Sequence, residues 1–372
     1  PWYRTDPWEH WNEAARQPPE DIAATSYPRL GPYDSLDVGV IEQHARWIAD
    51  AGVGAVNLSW WGPDSSTDRA VHLVMDVMRH HDIHVTFHLE PYRDDRADHY
   101  PADIAYLLRE YGERRGWDAF LLLEDARGRS GPVFKSFRTI LPERVTDCHG
   151  VVHAVPDYTP DDHWRRQTDA VRRAWAATFD QVTLLADSLD MGRTRASGFD
   201  GIAIYDNFVA PDTWSGWATA AAGAGLLCSF NVNPGYDGVV LRDVPPDSCY
   251  RPPAFAPGGR DVDWSDDAQR ARAADLALAR IDESWATTVA LQTAAHSPNA
   301  QRGFFLVYVN SFNEWHEGHQ FEPALDAGAL TPAQRRLYHN PPDGTARLRR
   351  LQALVAEALA GTGNGEPLRI PA

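Results

Sequence analysis

Hydrophobic and polar positions along the chain switch repeatedly between a helical and a strand-like period. Over residues 37–51, Val40, Ile41, His44, Trp47 and Ile48 fall on one face at the 3.6-residue spacing of a helix, and Gly52 supplies a C-terminal stop. Residues 55–59 then read as a buried strand. The next helix is predicted over 69–81, with His80 and His81 at its C-terminal end, and the next strand over 84–89, which Glu90-Pro91 terminates. The rhythm continues with strands predicted at 133–137, 182–186, 201–205, 226–232 and 304–310, and the clearest remaining helix at 268–289. A first strand at or before Trp2-Tyr3, incomplete if the chain begins within it, brings the count to eight. The expected fold is α/β: a (β/α)8 TIM barrel with long loops at the C-terminal face of the strands, forming one domain over residues 1–372. A Pro- and Gly-rich stretch over 243–263 is expected as a long loop after the seventh strand.

Composition narrows the partners. Hydrophobic residues make up 43% of 372, enough for a large core. A net charge of −17 argues against nucleic acid and anionic membranes, which would repel the chain. No apolar stretch is long enough to span a membrane. Lys135 is the only lysine in an arginine-rich chain, which reads as compositional bias of a GC-rich bacterial genome. Of three cysteines, Cys228 lies in an apolar run and is expected as a buried thiol, while Cys148 and Cys249 lie in polar loops and could pair. No signal peptide is visible in a chain opening at Pro1-Trp2-Tyr3, so secreted, periplasmic and cytoplasmic placement all stay open, and a monomer is expected.

Polar and aromatic clusters stand just past the predicted strand ends, where a barrel builds its active site. They are Ser59-Trp60-Trp61, His88-Leu89-Glu90-Pro91-Tyr92, Tyr205-Asp206-Asn207, Asn233-Pro234-Gly235-Tyr236 and the run from Asn310 to Gly318. Within the last run, Glu314 and Glu317 would point to opposite faces of a continuing strand. In a helical or tight turn they become neighbours, roughly 5–6 Å apart at Cβ. That separation suits a retaining glycosidase, in which one carboxyl protonates the leaving oxygen and the other assists at the sugar. An arbitrary Glu-x-x-Glu is more often a solvated acidic loop. Here the pair interleaves with Trp315 and His316 directly after an apolar strand, which favours chemistry.

Tryptophans at strand ends suit the apolar C–H faces of sugar rings. Trp60 and Trp61 are adjacent, so one faces the core while the other is free to line the site. His316-Glu317-Gly318-His319 is not a zinc-binding His-Glu-x-x-His helix, because the second histidine comes one residue early. With no phosphate loop and no nucleophile elbow either, neither a metal nor another cofactor is expected.

Phe87-His-Leu-Glu90-Pro-Tyr92, Asn233-Pro-Gly-Tyr236 and Ser311-Phe-Asn-Glu-Trp-His-Glu-Gly318 resemble glycoside hydrolase family 99, the endo-α-mannosidases and bacterial endo-α-mannanases. The similarity extends through Trp8-Glu-His-Trp11, the Tyr27–Tyr33 segment, Ser59-Trp60 and Gly198-Phe-Asp-Gly201. The resemblance implies a (β/α)8 barrel and metal-independent, retaining cleavage inside an α-mannan or high-mannose-type glycan, through a 1,2-anhydro sugar. Matched onto this chain, Glu314 would deprotonate the sugar 2-hydroxyl. Glu317 would protonate the leaving oxygen and then activate water. The substrate-binding candidates are Glu90, Tyr236, Trp60, Trp61, His88, Tyr92, Asn313, His316 and Arg242. After the fourth strand the family usually carries a Tyr- and Asp-containing segment, whereas this chain reads Phe134-Lys-Ser-Phe-Arg138, and the loop over 243–263 also departs. Both differences touch the sugar-binding rim. A hydrolase of another α-linked glycan and a non-catalytic carbohydrate-binding barrel are the alternatives.

Overall fold

In the computed structural model the chain is described at residue 2 and over residues 8–205, 209–239, 255–259 and 261–361. Helix α1 (Val38–Asp50) starts where the Asp37 carboxylate accepts the Gly39 N–H at 2.8 Å, and it buries Ile41, His44, Ala45 and Ile48. Strand β1 (Ala55–Trp60) follows, then α2 (Ser66–Arg79), capped by the Ser65 hydroxyl accepting from the Asp68 N–H at 3.1 Å. β2 (His84–Leu89) pairs with β1 residue for residue, from Ala55 opposite His84 to Trp60 opposite Leu89. Because the two strands end together, the residues just past them share one rim.

The chain continues through α3 (Arg96–Leu107), β3 (Leu122–Glu124), β4 (Ser130–Ser136), β5 (Arg144–Thr146), β6 (Val152–Ala154), α4 (Asp161–Trp175), β7 (Thr183–Ala186), α5 (Met191–Ala196) and β8 (Gly201–Ala203). It then forms α6 (Trp214–Gly223), β9 (Leu227–Ser229), α7 (Asp267–Thr293), α8 (Pro298–Arg302), α9 (Gln334–Leu337) and α10 (Ala346–Gly361). The central sheet runs β1-β2-β4-β7-β8-β9 with every pair parallel, while β3 lies antiparallel on β4. This is the barrel order expected from the alternating pattern. The hairpins β3–β4 and β5–β6 were not anticipated, because each adds a strand of only three residues.

The run at 304–310 does not form a regular strand, although it occupies the next position in the barrel wall. Val232 bridges it in parallel at Val309, donating to the Tyr308 carbonyl at 2.8 Å and accepting from the Asn310 N–H at 2.9 Å. Farther back, side chains replace the ladder. The Gln292 amide accepts from the Leu306 N–H at 3.1 Å and donates to its carbonyl at 3.0 Å. Asn299 likewise accepts from the Cys228 N–H and donates to the Cys228 and Phe304 carbonyls. Backbone groups that must be satisfied in a buried wall are met here by amides from α7 and α8. The expected first strand lies outside the described residues, apart from Trp2. Among the described residues no helix is long and apolar enough to cross a membrane.

Cys148 is disulfide-bonded, Cys228 is a buried free thiol, and Cys249 lies outside the described residues. Behind β1, the Asp68 carboxylate gathers donors from three rings: Trp60 Nε1 at 2.7 Å, Tyr111 Oη at 2.8 Å and Tyr106 Oη at 2.7 Å. It also accepts from the Asp64 N–H at 3.0 Å. Asp68→Ala would leave the buried Trp60 and Tyr111 donors without their acceptor, at ~1–3 kcal/mol each, and would free the partly buried Tyr106 hydroxyl. Urea unfolding of this variant is expected to show a loss of about 3 kcal/mol or more. A loss under about 1 kcal/mol would mean that the rings find other partners.

Candidate active site

The shared end of β1 and β2 builds the first part of the site. The Glu90 N–H donates to the Trp60 carbonyl at 3.0 Å, which brings its carboxylate beside β1, where Ser59 Oγ donates to Glu90 Oε1 at 2.9 Å. Trp61 Nε1 donates to the same Ser59 oxygen at 3.1 Å, and its indole is 46% exposed. Trp60, one residue earlier, is fully buried and turned toward Asp68. The expectation that Trp60 binds substrate is therefore corrected: adjacent residues point oppositely, and the inner indole is committed to the core.

Burial pushes the Glu90 carboxyl up to about 7, with the nearby Glu314 charge adding to the rise. The Ser59 hydrogen bond and the positive charges of Arg96 and Lys135 oppose it. Lys135, opposite His88 in the β2–β4 register, is buried with its ammonium 5.0 Å from the Tyr308 ring centre and 5.4 Å from that of Tyr205. Burial pushes this lysine down to about 8, against the pull of Asp187 and Glu90. His88 packs edge-on against Phe137 and Tyr205, and its Nε2 lies 4.0 Å from Glu90 Oε1. Burial, aided by Lys135 and Arg96, holds its imidazole well below the ordinary range and so neutral.

Tyr205 joins this floor to the second part of the site. Its N–H donates to Asp187 Oδ1 at 3.0 Å, and its carbonyl accepts from Asn231 Nδ2 at 3.0 Å and Asn310 Nδ2 at 2.7 Å. With the backbone fixed on three sides, the phenol donates to Glu317 Oε2 at 2.7 Å. His319 Nε2 bonds the same oxygen, and Glu317 is 2% exposed.

Glu314 and Glu317 lie in a turn, not a continuing strand. The base of this loop is closed by the Phe321 and Glu322 N–H groups donating to the Ser311 and Phe312 carbonyls. Ser311 Oγ accepts the Glu314 N–H at 2.8 Å. Gly318 has φ +66°, and a Cβ there would lie 2.3 Å from the Asp237 carbonyl, so the turn between Glu317 and His319 requires glycine. Beneath the loop, the buried Glu322 carboxylate accepts from Tyr33 Oη at 2.7 Å, His44 Nε2 at 3.0 Å and Trp315 Nε1 at 3.1 Å. This strut ties the turn to α1. The Glu314 side chain is 35% exposed and that of Glu317 only 3%, so two carboxylates three residues apart have opposite environments.

The other sequence candidates fall in different places. Tyr92 donates to Asp103 at 2.7 Å and packs under Gly62, where it props the rim. Asn313 donates to Tyr33 Oη at 3.1 Å, His316 donates from Nε2 to the His10 carbonyl at 2.9 Å, and Tyr236 is buried against Gly238. Arg242, Asp206 and Asn207 lie outside the described residues. Sequence reasoning placed Ser59 and Tyr205 in strand-end clusters without giving them a role, weighed His319 only as a metal ligand, left Glu322 out and read Lys135 as compositional bias. A lone lysine opposite His88 was the available signal.

Carboxylates and an exposed indole thus gather where the parallel strands of an α/β barrel end. The sequence pattern described as Glycosyl hydrolase family 99 matches residues 3–127. The glycoprotein endo-alpha-1,2-mannosidase of Mus musculus is 28% identical over 343 residues, covering 85% of this chain and 62% of that protein. A Homo sapiens glycoprotein endo-alpha-1,2-mannosidase-like protein is 26% identical, covering 83% and 59%. The solved GH99 endo-alpha-mannosidase from Bacteroides thetaiotaomicron superimposes with a TM-score of 0.64 at 21% identity, over 91% of this chain and 85% of that one. The chain is thus similar to glycoside hydrolase family 99 proteins, and it spans about three-fifths of the length of the curated relatives it matches.

The Glu90 environment sets a pH signature. Its folded value of about 7 lies above the ordinary 4.5, so between these values the folded state holds a proton that the unfolded chain releases. Stability is therefore lost as pH rises through this window, on the order of 3 kcal/mol in full. Glu90→Gln should match the wild type below pH ~4.5 and become progressively more stable than it toward pH 8, as read by thermal melts. A constant difference across that range would contradict the assigned environment.

Proposed function

We propose that this chain is a retaining, endo-acting glycoside hydrolase that cleaves internal α-mannosidic bonds, as one monomeric catalytic domain acting on an α-mannan or high-mannose-type glycan. The observation that carries the reading is the Glu314–Glu317 turn, which sets one exposed and one enclosed carboxyl at the same cleft. The likeness to the Mus musculus glycoprotein endo-alpha-1,2-mannosidase supports the choice of α-mannose.

Glu317 begins as the acid. Tyr205 and His319 both bond its Oε2 and hold the carboxyl in place for proton transfer. Glu314, at the open side, takes the proton from the 2-hydroxyl as O2 attacks C1. Glu317 delivers its proton to the departing glycosidic oxygen. Water then opens the 1,2-anhydro sugar at C1, giving its proton to Glu317 while Glu314 returns its own to O2, and both carboxyls are restored. Glu90 accepts a sugar hydroxyl, and Trp61 stacks on the neighbouring ring.

Glu314→Gln and Glu317→Gln should each fold normally and lose about 10²–10⁴-fold in turnover, because an amide cannot shuttle a proton. Near-wild-type turnover of an unactivated mannoside by either variant would remove that residue from the mechanism. EDTA should leave the rate of metal-free enzyme unchanged, since no step uses a metal.

Trp61 spends its only donor on Ser59 and offers an apolar face, so it cannot pair an additional sugar hydroxyl. Mannose should be favoured over glucose at the adjoining subsite by ~1–3 kcal/mol, and Trp61→Tyr should change that ratio. Matched mannosyl and glucosyl substrates test this, and a ratio untouched by the substitution would show that Trp61 is not the selector.

A further inference from the structure

At the edge of the cleft, three side chains from the two ends of the chain converge. His10 and Glu13 come from the irregular N-terminal segment, and His316 from the turn carrying the carboxyl pair. The Trp2 ring packs edge-on against both imidazoles, at 5.7 Å from His10 and 4.6 Å from His316, and so fixes their orientation. His316 Nε2 faces the His10 carbonyl, which can only accept, so that nitrogen carries the hydrogen and Nδ1 of the neutral ring is a lone pair. This lone pair faces two carboxylate oxygens, Glu13 Oε2 at 3.7 Å and Glu314 Oε1 at 3.9 Å. The other oxygen of Glu13 stands 2.8 Å from His10 Nδ1. One ligand atom from each of His10, Glu13 and His316 can be chosen so that all lie within 4.8 Å of one another. A lone pair facing two carboxylate oxygens is relieved by a proton or by a metal cation between them, and the two imidazoles and the carboxylate offer such a cation three ligands.

We propose that His10, Glu13 and His316 bind a divalent transition-metal ion of the zinc class, and that the bound ion inhibits the enzyme by drawing Glu314 into its fourth position. Zinc bonds of about 2.0–2.2 Å put tetrahedral ligands roughly 3.4 Å apart, within the span of separations seen here. Two imidazoles and a carboxylate select zinc, copper or nickel over calcium and magnesium, which need oxygen ligands in larger number. The His10 hydrogen bond holds the Glu13 carboxyl below its ordinary value, as a ligand requires. His10 and Glu13 remain more than a third exposed, so an ion can enter. Binding needs no assumption about the reaction; inhibition rests on Glu314 acting as proposed above.

Calorimetric titration of the full chain with zinc chloride tests the site. One ion per chain should bind, and Glu13→Gln and His10→Asn should each weaken it by ~10–100-fold or more, at least the loss caused by removing an outer-shell partner. Turnover of α-mannan should fall at the zinc concentrations that fill the site, recover on adding EDTA, and be insensitive to magnesium. Absence of saturable zinc binding, or equal affinity in wild type and both variants, would overturn the proposal. So would inhibition that Glu13→Gln leaves unchanged. A chain that binds zinc through Glu13 but turns over no mannan would keep the site and refute the hydrolase reading.

Discussion

A carboxyl group shut away from water is tolerated only when its neighbours replace the solvent, and Glu317 imposes that condition on the barrel around it. The replacement is Tyr205 and His319, both directed at one oxygen. Neither could hold its direction alone. Tyr205 is fixed through Asp187, Asn231 and Asn310, which come from the ends of three different barrel segments. His319 follows the glycine turn, and the loop carrying all of these groups is anchored by the Glu322 strut to Tyr33, His44 and Trp315. The fold thus reaches Glu317 through a short chain of hydrogen bonds, and a gap of one link would let water or an alternative rotamer in.

The same region concentrates carboxyl groups. Glu90, Glu314 and Glu317 share one cleft in a chain already carrying a net charge of −17. Against them stand the buried Lys135 and Arg96, while His88 is held neutral by burial first and by those same two cations second. Lysine at position 135 places a compact ammonium near the rings of both Tyr205 and Tyr308. The only lysine in the chain thereby has a physical reason, one that composition alone does not reveal.

Most strands were legible because apolar runs bounded by Gly, Pro and acidic residues leave few other readings, and α1 was legible to within one residue at each end. The run at 304–310 reads as a strand but is stitched into the wall by Gln292 and Asn299, whose amides stand in for a ladder that no periodicity can report. Glu314 and Glu317 stood out by their spacing and company. Tyr205 and Glu322 did not, since their importance lies in contacts across more than a hundred residues or beneath a loop. The choice between Trp60 and Trp61 turned on strand parity, which adjacent residues leave open until one of them finds Asp68. The meeting of His10 with His316, 306 residues apart, has no local signature at all.

The central claim is that Glu314 and Glu317 act together at one anomeric carbon, with two displacements there and net retention. Proton NMR during the first minutes of α-mannan hydrolysis tests it directly, by reading the anomeric configuration of the newly released reducing end before mutarotation. The account predicts oligosaccharide products whose new reducing ends appear first as the α-anomer. First appearance of the β-anomer would contradict it, and release of single mannose units from chain ends would contradict the internal cleavage on which the site assignment rests.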